Sequence, residues 1–166
     1  MGALLKLVDA ILFLFFIVLA LAPPLIDFQL LLPRTLFPNF VVDLKSWYIR
    51  QSGDYLMSEP PHFFAGLVCF ELLFQWPVTL LNLYAFLAAK PWFNTTCLIY
   101  GVSVLASMSA IMGEMVGSNR ASNTLLTIYF PFFGLGALAT LRGLVACSNK
   151  ANIIGAGQSN VRKKRA

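Results

Sequence analysis

The composition of this 166-residue chain excludes a water-soluble globular domain. Hydrophobic residues make up 58% of the chain and charged residues only 11%, whereas a soluble domain carries about 25% charged residues. Mean hydropathy is +0.76, so too little polar surface remains to cover a globule, and we expect lipid as the surrounding solvent. The net charge of +5 does not indicate nucleic-acid binding, because four of the twelve basic residues lie in the last five positions.

Four apolar stretches predict four transmembrane helices, since a spanning helix needs about 20 apolar residues. They lie at residues 10–32, 63–89, 94–115 and 122–146. We therefore predict an all-α membrane protein, a four-helix transmembrane bundle formed by residues 1–147, followed by a disordered basic cytosolic tail at 148–166. The first stretch could instead be a cleaved signal peptide with Lys6 in its basic region, but the apolar run continues to Leu32 and is too long for a signal-peptide core.

Basic flanks predict the orientation of the bundle in the membrane. An even number of spans puts both termini on one side, and the basic C-terminal flank makes that side cytosolic. The loop at 33–61 then faces the lumen. The pattern Asn94-Thr95-Thr96 matches an N-glycosylation site, but it lies at the cytosolic end of the third span, so we expect it to be unmodified.

Two acidic residues, Asp27 and Glu71, are the only charges inside the first two spans. An ionised carboxylate at the bilayer centre costs at least about 2.5–3.5 kcal/mol, so it needs a partner, water or a proton. Asp27 lies roughly 8 Å and Glu71 about 12 Å from the luminal ends of antiparallel helices. No basic residue of the spans lies at that level, so we expect the two carboxyl groups to share one proton and to offer the remaining charge to the amine or hydroxyl of a ligand. Alternatively, each carboxyl group caps a broken helix or hydrogen-bonds a neighbour.

Helix-breaking residues predict a cavity between the spans. Prolines occur in three of them: Pro23, Pro24, Pro77 and Pro131. Each removes an N–H donor and kinks its helix, although an ordinary membrane-helix kink is the alternative for any single one. Gln75 is one helical turn after Glu71 and shares its face. In the third span, Gly101 and Ser107 predict close helix packing, with hydroxyl groups that line the cavity as the alternative.

An ordered set of motifs resembles the sigma-2 receptor (sigma intracellular receptor 2) family of the EXPERA superfamily, which also contains the emopamil-binding sterol isomerases. The motifs are Asp27–Arg34, Phe37-Pro38, Trp47-Tyr48, Glu59–Pro61 and Cys69–Pro77. The resemblance implies a four-helix fold with an intramembrane pocket, in which Asp27 contacts a cationic amine of the ligand and Glu71 hydrogen-bonds Asp27. It implies that Asp54 supports the site.

The same resemblance implies further pocket residues and ligands. The positions matching pocket-lining residues are Tyr48, Met57, Gln75 and Tyr129. A family histidine corresponds to about Leu19 and a family tyrosine to Phe132, so ligand preference is expected to differ. The implied ligands are sterols (cholesterol, oxysterols) and cationic amphiphilic amines, and the implied role is that of an intracellular receptor in cholesterol homeostasis and trafficking. The implied protein partner is a Niemann–Pick-type cholesterol exporter. Whether the protein forms a homodimer stays open.

The C-terminal lysines carry a separate signal. Lys163 and Lys164 resemble the di-lysine retrieval signal of endoplasmic reticulum membrane proteins, and simple positive-inside charge is the alternative. We therefore expect a multi-pass protein of the endoplasmic reticulum membrane with cytosolic N- and C-termini.

An enzymatic role is the main alternative to binding. The isomerases use a histidine one turn before the acidic residue of the second helix, and here that position is Leu67. The single histidine, His62, is nine residues before Glu71 and points to about the opposite face. We therefore assign no catalytic residue and expect no metal or cofactor. A third hypothesis, a proton-coupled carrier, finds no internal repeat to support it.

Overall fold

Four long helices make up the bundle, as the sequence predicted. The computed structural model describes the backbone of residues 2–163 and the side chains of residues 2–145. The helices long and apolar enough to cross a membrane are Gly2–Leu30, His62–Leu87, Phe93–Gly117 and Asn123–Val145. The part of the chain so described contains helices and no strand, which confirms the predicted fold class.

Short helical segments interrupt and connect these spans. The first span is helix α1 (Gly2–Leu25) followed by a 3-10 turn (Asp27–Leu30). A second 3-10 turn (Arg34–Leu36), helix α2 (Asn39–Ser52) and the single-turn helix α3 (Tyr55–Ser58) lead to the second span. That span consists of α4 (His62–Phe70), a π-helical segment (Glu71–Gln75) and α5 (Trp76–Leu87). Helices α6 (Phe93–Gly117) and α7 (Asn123–Lys163) complete the fold.

Helix α1 ends directly after its two prolines. Pro24 has no N–H to donate to the carbonyl of Ala20, which therefore loses its helical partner. The indole Nε1 of Trp76 donates to that carbonyl at 3.1 Å. This hydrogen bond from Trp76, the first residue of α5, therefore holds the end of α1 against the second span.

The second span changes its hydrogen-bonding pattern at Glu71. The N–H of Trp76 donates to the carbonyl of Glu71, five residues earlier, in place of the α-helical partner four residues earlier. Pro77 follows directly and cannot donate to Leu73, so the ladder is already incomplete at this point. The sequence predicted a kink here, and the structure adds that the kink contains a π-helical segment.

At two positions helices α6 and α7 lie so close together that only glycine, which has no Cβ atom, fits between them. A Cβ atom on Gly101 would lie 2.5 Å from the backbone nitrogen of Thr140, and one on Gly143 would lie 2.6 Å from the Cβ of Leu98. Small residues let membrane helices approach in this way. Close packing is therefore the role of Gly101.

Apolar side chains cover both the inside and the outside of the bundle. One buried cluster contains Leu12, Phe16 and Cys97, and a second contains Leu56 and Met115. Large apolar residues are also exposed on the outward faces, among them Leu14, Leu73, Leu87, Val116 and Phe130. In water such exposure is costly, and it suits a surface solvated by lipid.

The backbone of the C-terminal region continues as helix α7 to Lys163. The predicted division into a bundle at 1–147 and a disordered tail at 148–166 stays a prediction. No proline follows Pro131, so no residue forbids continuation of the helical hydrogen bonds. The predicted retrieval signal, the side chain of Lys163 together with Lys164, lies outside the described residues.

Candidate functional site

A cavity of about 260 Å³ lies between the four spans, and both Asp27 and Glu71 line it. Most of its wall is apolar, and the contributing residues include Leu19, Phe64, Val104, Met108 and Ile111. A mostly apolar cavity with a few convergent polar groups is typical of a small-molecule site.

Each acid lies where its span leaves the α-helical pattern. Asp27 is the first residue of the 3-10 turn after α1, and Glu71 is the first residue of the π-helical segment. Both side chains are half-buried. Hydrogen bonds to carboxylates are made at Asp9, Asp54 and Glu59, and none joins Asp27 to Glu71 among residues 2–145. The direct hydrogen bond between the two acids stays a prediction.

Asp54 organises the wall behind the cavity. It is fully buried and begins helix α3, where it accepts the backbone N–H groups of Leu56 at 3.0 Å and Met57 at 3.2 Å. Its other oxygen accepts the hydroxyl groups of Tyr48 at 3.0 Å and Tyr129 at 2.8 Å. One carboxylate therefore joins α2, α3 and α7.

The pKa of Tyr48 follows from this arrangement. Burial raises the pKa of its hydroxyl group, and the neighbouring charge of Asp54 raises it further. The hydroxyl group therefore stays protonated at neutral pH and donates to Asp54.

The predicted ligand-binding residues divide into two groups. Five line the cavity: Asp27, Tyr48, Glu71, Gln75 and Tyr129. The other two, Asp54 and Met57, lie behind the wall, where Met57 is only 3% exposed. The structure thus brings the seven residues together in one region but gives Asp54 and Met57 no face on the cavity.

Gln75 connects the second and third spans at the cavity. Its Nε2 donates to the hydroxyl oxygen of Ser107 at 3.1 Å, and both residues line the wall. Ser107 therefore fits the alternative predicted for the hydroxyl groups of the third span, in which they line the cavity.

Leu67, at the position where the resemblance to the isomerases would require a histidine, is an apolar residue of the cavity wall. Leu67 lines the cavity, whereas His62 is exposed at the start of α4 and is not among the lining residues.

Sequence reasoning missed two residues at this site. Tyr100 lines the cavity and packs edge-on against Phe16, with ring centroids 5.3 Å apart. Lys45 is half-buried on α2, within reach of the charge of Asp27. The amphipathic pattern of α2 indicates Lys45, but this residue lies outside the spans, where no partner for Asp27 is expected from the sequence.

A second polar cluster joins three helices near the start of α1. Arg142 donates from Nε to Asp9 at 2.6 Å and from Nη1 to Asn94 at 2.7 Å. Nearby, the hydroxyl group of Thr96 donates to the buried Asn82 at 2.6 Å. The contacts of Arg142 join α1, α6 and α7 far along the bundle from Asp27, and the bond from Thr96 joins α6 to α5. The ion pair accounts for two charges, Asp9 and Arg142, that the sequence left without partners.

Comparison with known proteins identifies relatives over most of the chain. A family model described as EXPERA (EXPanded EBP superfamily) matches residues 40–143. The chain is 30% identical to "Sigma intracellular receptor 2" of Macaca fascicularis over 122 residues, which are 64% of this chain and 69% of the relative. It is 30% identical to the protein of that name from Xenopus tropicalis over 130 residues, 70% of this chain and 76% of the relative.

The human protein of the same name is 34% identical over 91 residues, which are 54% of this chain and 52% of the human one. These relatives are named as receptors, and the superfamily also includes isomerases. The family match covers more than half of the chain and runs from α2 through the first half of α7, which includes the elements that form all but the α1 side of the cavity. The chain therefore belongs to the sigma intracellular receptor 2 family of the EXPERA superfamily.

Proposed function

We propose that this protein is an intracellular receptor that binds sterols and amphiphilic amines through Asp27 and Glu71. The observation that supports the proposal is that both acids line one mostly apolar cavity inside the spans. An intramembrane carboxylate is costly and is kept where it serves a ligand, an ion or a proton.

The cavity provides for both parts of an amphiphile. Its apolar wall receives the hydrocarbon body, which gains about 25 cal/mol for each Å² removed from water. Asp27 and Glu71 hold one proton between them, and the remaining negative charge pairs with a ligand amine or accepts a hydroxyl hydrogen bond. A charge-assisted bond of this kind is worth about 1.5–3 kcal/mol.

The wider role rests on the family and on the tail. We propose a multi-pass protein of the endoplasmic reticulum membrane with cytosolic termini, retrieved through Lys163 and Lys164 and acting in sterol homeostasis and trafficking. A Niemann–Pick-type cholesterol exporter is the proposed protein partner. Binding is favoured over isomerisation because Leu67 occupies the cavity wall at the position where the isomerases need a histidine.

A binding assay on matched variants tests the proposal. The purified protein in nanodiscs is expected to bind a tritiated cationic sterol, 25-azacholesterol, and Asp27→Asn should weaken this binding at least about tenfold because it removes the charge partner of the amine. Asp43→Asn makes the same chemical change at an exposed site on α2 and should bind like wild type. Wild-type affinity in Asp27→Asn would refute the proposed site, and a shifted double bond in recovered sterol would favour the isomerase.

A further inference from the structure

Helix α2 turns one face toward the cavity. Its residues Val41, Lys45, Tyr48 and Ser52 follow the spacing i, i+4, i+7 and i+11, which places them on one side of a helix. Val41 and Ser52 are each only 4% exposed, and Lys45 and Tyr48 are half-buried. Lys45 therefore belongs to the inward face of α2.

This face contacts the segment that carries Asp27. Gln29 lies in the same 3-10 turn as Asp27 and donates from Nε2 to the carbonyl of Val41 at 3.1 Å. One turn after Lys45, Tyr48 lines the same cavity as Asp27. Lys45 thus lies between two points at which α2 meets the surroundings of Asp27.

Lys45 acts on Asp27 through space and not through a closed ion pair. Among residues 2–145, the ion pairs within 4.0 Å are Arg120–Glu59 and Arg142–Asp9. Partial burial lowers the pKa of Lys45, and the charge of Asp27 opposes that effect. The ammonium group therefore interacts with the carboxylate by charge without contacting it.

We propose that Lys45, which lies beside the cavity and is not among its lining residues, is the resident counter-charge of Asp27 and sets the selectivity of the cavity between uncharged and cationic amphiphiles. The inference rests on the proposed function. With one proton shared by Asp27 and Glu71, one negative charge remains on this pair, and Lys45 offsets that charge in the ligand-free protein. An uncharged sterol then enters without displacing Lys45, whereas a cationic ligand must compete with Lys45 for the carboxylate.

Two probes of the same shape test this selectivity in the full-length protein. Lys45→Met is expected to raise affinity for 25-azacholesterol about tenfold, because a competing unit charge is removed from a partly desolvated site, and to leave affinity for cholesterol unchanged. Lys45→Arg should bind like wild type. Arg50→Met removes the same charge from an exposed position of the same helix and should change neither affinity. Equal changes for both probes, or none in Lys45→Met, would overturn the proposal.

A ligand-free measurement tests the charge interaction by itself. Thermal unfolding is compared for wild type, Lys45→Met, Asp27→Asn and the double variant. Lys45→Met should lower the midpoint in the wild-type background and should not lower it when Asp27 is already neutral. The same decrease in both backgrounds would overturn the inference. The two results together distinguish this inference from the proposed function. If the effect of Lys45→Met on the unfolding midpoint depends on Asp27 but Asp27→Asn does not change amine binding, the proposed function is refuted and the interaction between Lys45 and Asp27 is supported.

Discussion

Asp54 determines the geometry of the cavity wall although it does not reach the cavity. It is fully buried, and its two oxygens accept two backbone N–H groups and two tyrosine hydroxyls. A buried carboxylate is tolerated when its hydrogen-bonding capacity is filled in this way. The residue therefore orients Tyr48 and Tyr129, which do line the cavity.

Asp54→Ala should destabilise the protein by about 2–4 kcal/mol, because it removes a helix cap and leaves two buried hydroxyl groups without an acceptor. Thermal unfolding in detergent measures the loss. Asp43→Ala, at an exposed position of α2, is the control and should change the midpoint little. An equal midpoint in wild type and Asp54→Ala would show that these hydrogen bonds do not hold the wall.

At the scale of single residues, the cost of burying a charge identifies candidate site residues, whereas pairs distant in sequence cannot be predicted. Asp27 and Glu71 were predictable because an ionisable residue in an apolar stretch is costly without a partner or a function. The partner of Asp9 was not, since Arg142 is 133 residues away and meets it only through packing of α1 against α7. Lys45 was overlooked because it lies outside the spans, whereas α2 folds back onto the 3-10 turn of Asp27.

At the scale of helices, the contact between α6 and α7 depends on glycine. Gly101→Ala should destabilise the protein by roughly 1–3 kcal/mol, because the new methyl group would meet the backbone of Thr140 and the helices would have to separate. Gly113→Ala on the same helix is the control, since nothing lies within 4 Å of its added Cβ. It should be neutral or slightly stabilising through helix propensity. Similar unfolding midpoints for the two variants would contradict close packing at Gly101.

The helices themselves were predictable in number and less so in form. Hydrophobic length identified all four spans, because the bilayer sets the number of apolar residues required. The first helix begins at Gly2, before the apolar stretch that starts near residue 10, and Asp9 in its early turns is paired with Arg142. The π-helical segment at Glu71 has no sequence signal apart from Pro77. Pro77 removes one helical hydrogen bond, but it does not determine which neighbouring N–H group shifts to the carbonyl five residues earlier.

At the scale of the whole molecule, the cavity exists because two spans break at the same place. The break after Pro24 and the π-helical segment before Pro77 lie side by side, joined by the bond from Trp76 to Ala20. The two acids are the first residues of the altered segments, so they reach one cavity from antiparallel helices. The sequence predicted this convergence from depth alone. The tyrosine wall was implied only by the family resemblance, because its hydrogen bonds require α2 and α7 to meet at Asp54.

Orientation in the membrane decides whether the cavity and the tail can act as proposed. With the basic tail in the cytosol, α2 lies on the luminal side. Arg50→Asn creates the acceptor sequence of residues 50–52 on that helix and should add one glycan, seen as a mobility shift that an endoglycosidase removes. In this orientation Asn94 would face the cytosol and should stay unmodified, and its side-chain oxygen accepts a hydrogen bond from Arg142.

A second acceptor sequence appended after Ala166 completes the experiment, because it reports on the opposite side of the membrane. It should remain unmodified if the tail is cytosolic, which the proposed retrieval signal requires. A glycan on the appended sequence together with none in Arg50→Asn would invert the topology. The acids would still share their cavity, but Lys163 and Lys164 would face the lumen, where a cytosolic retrieval receptor could not reach them.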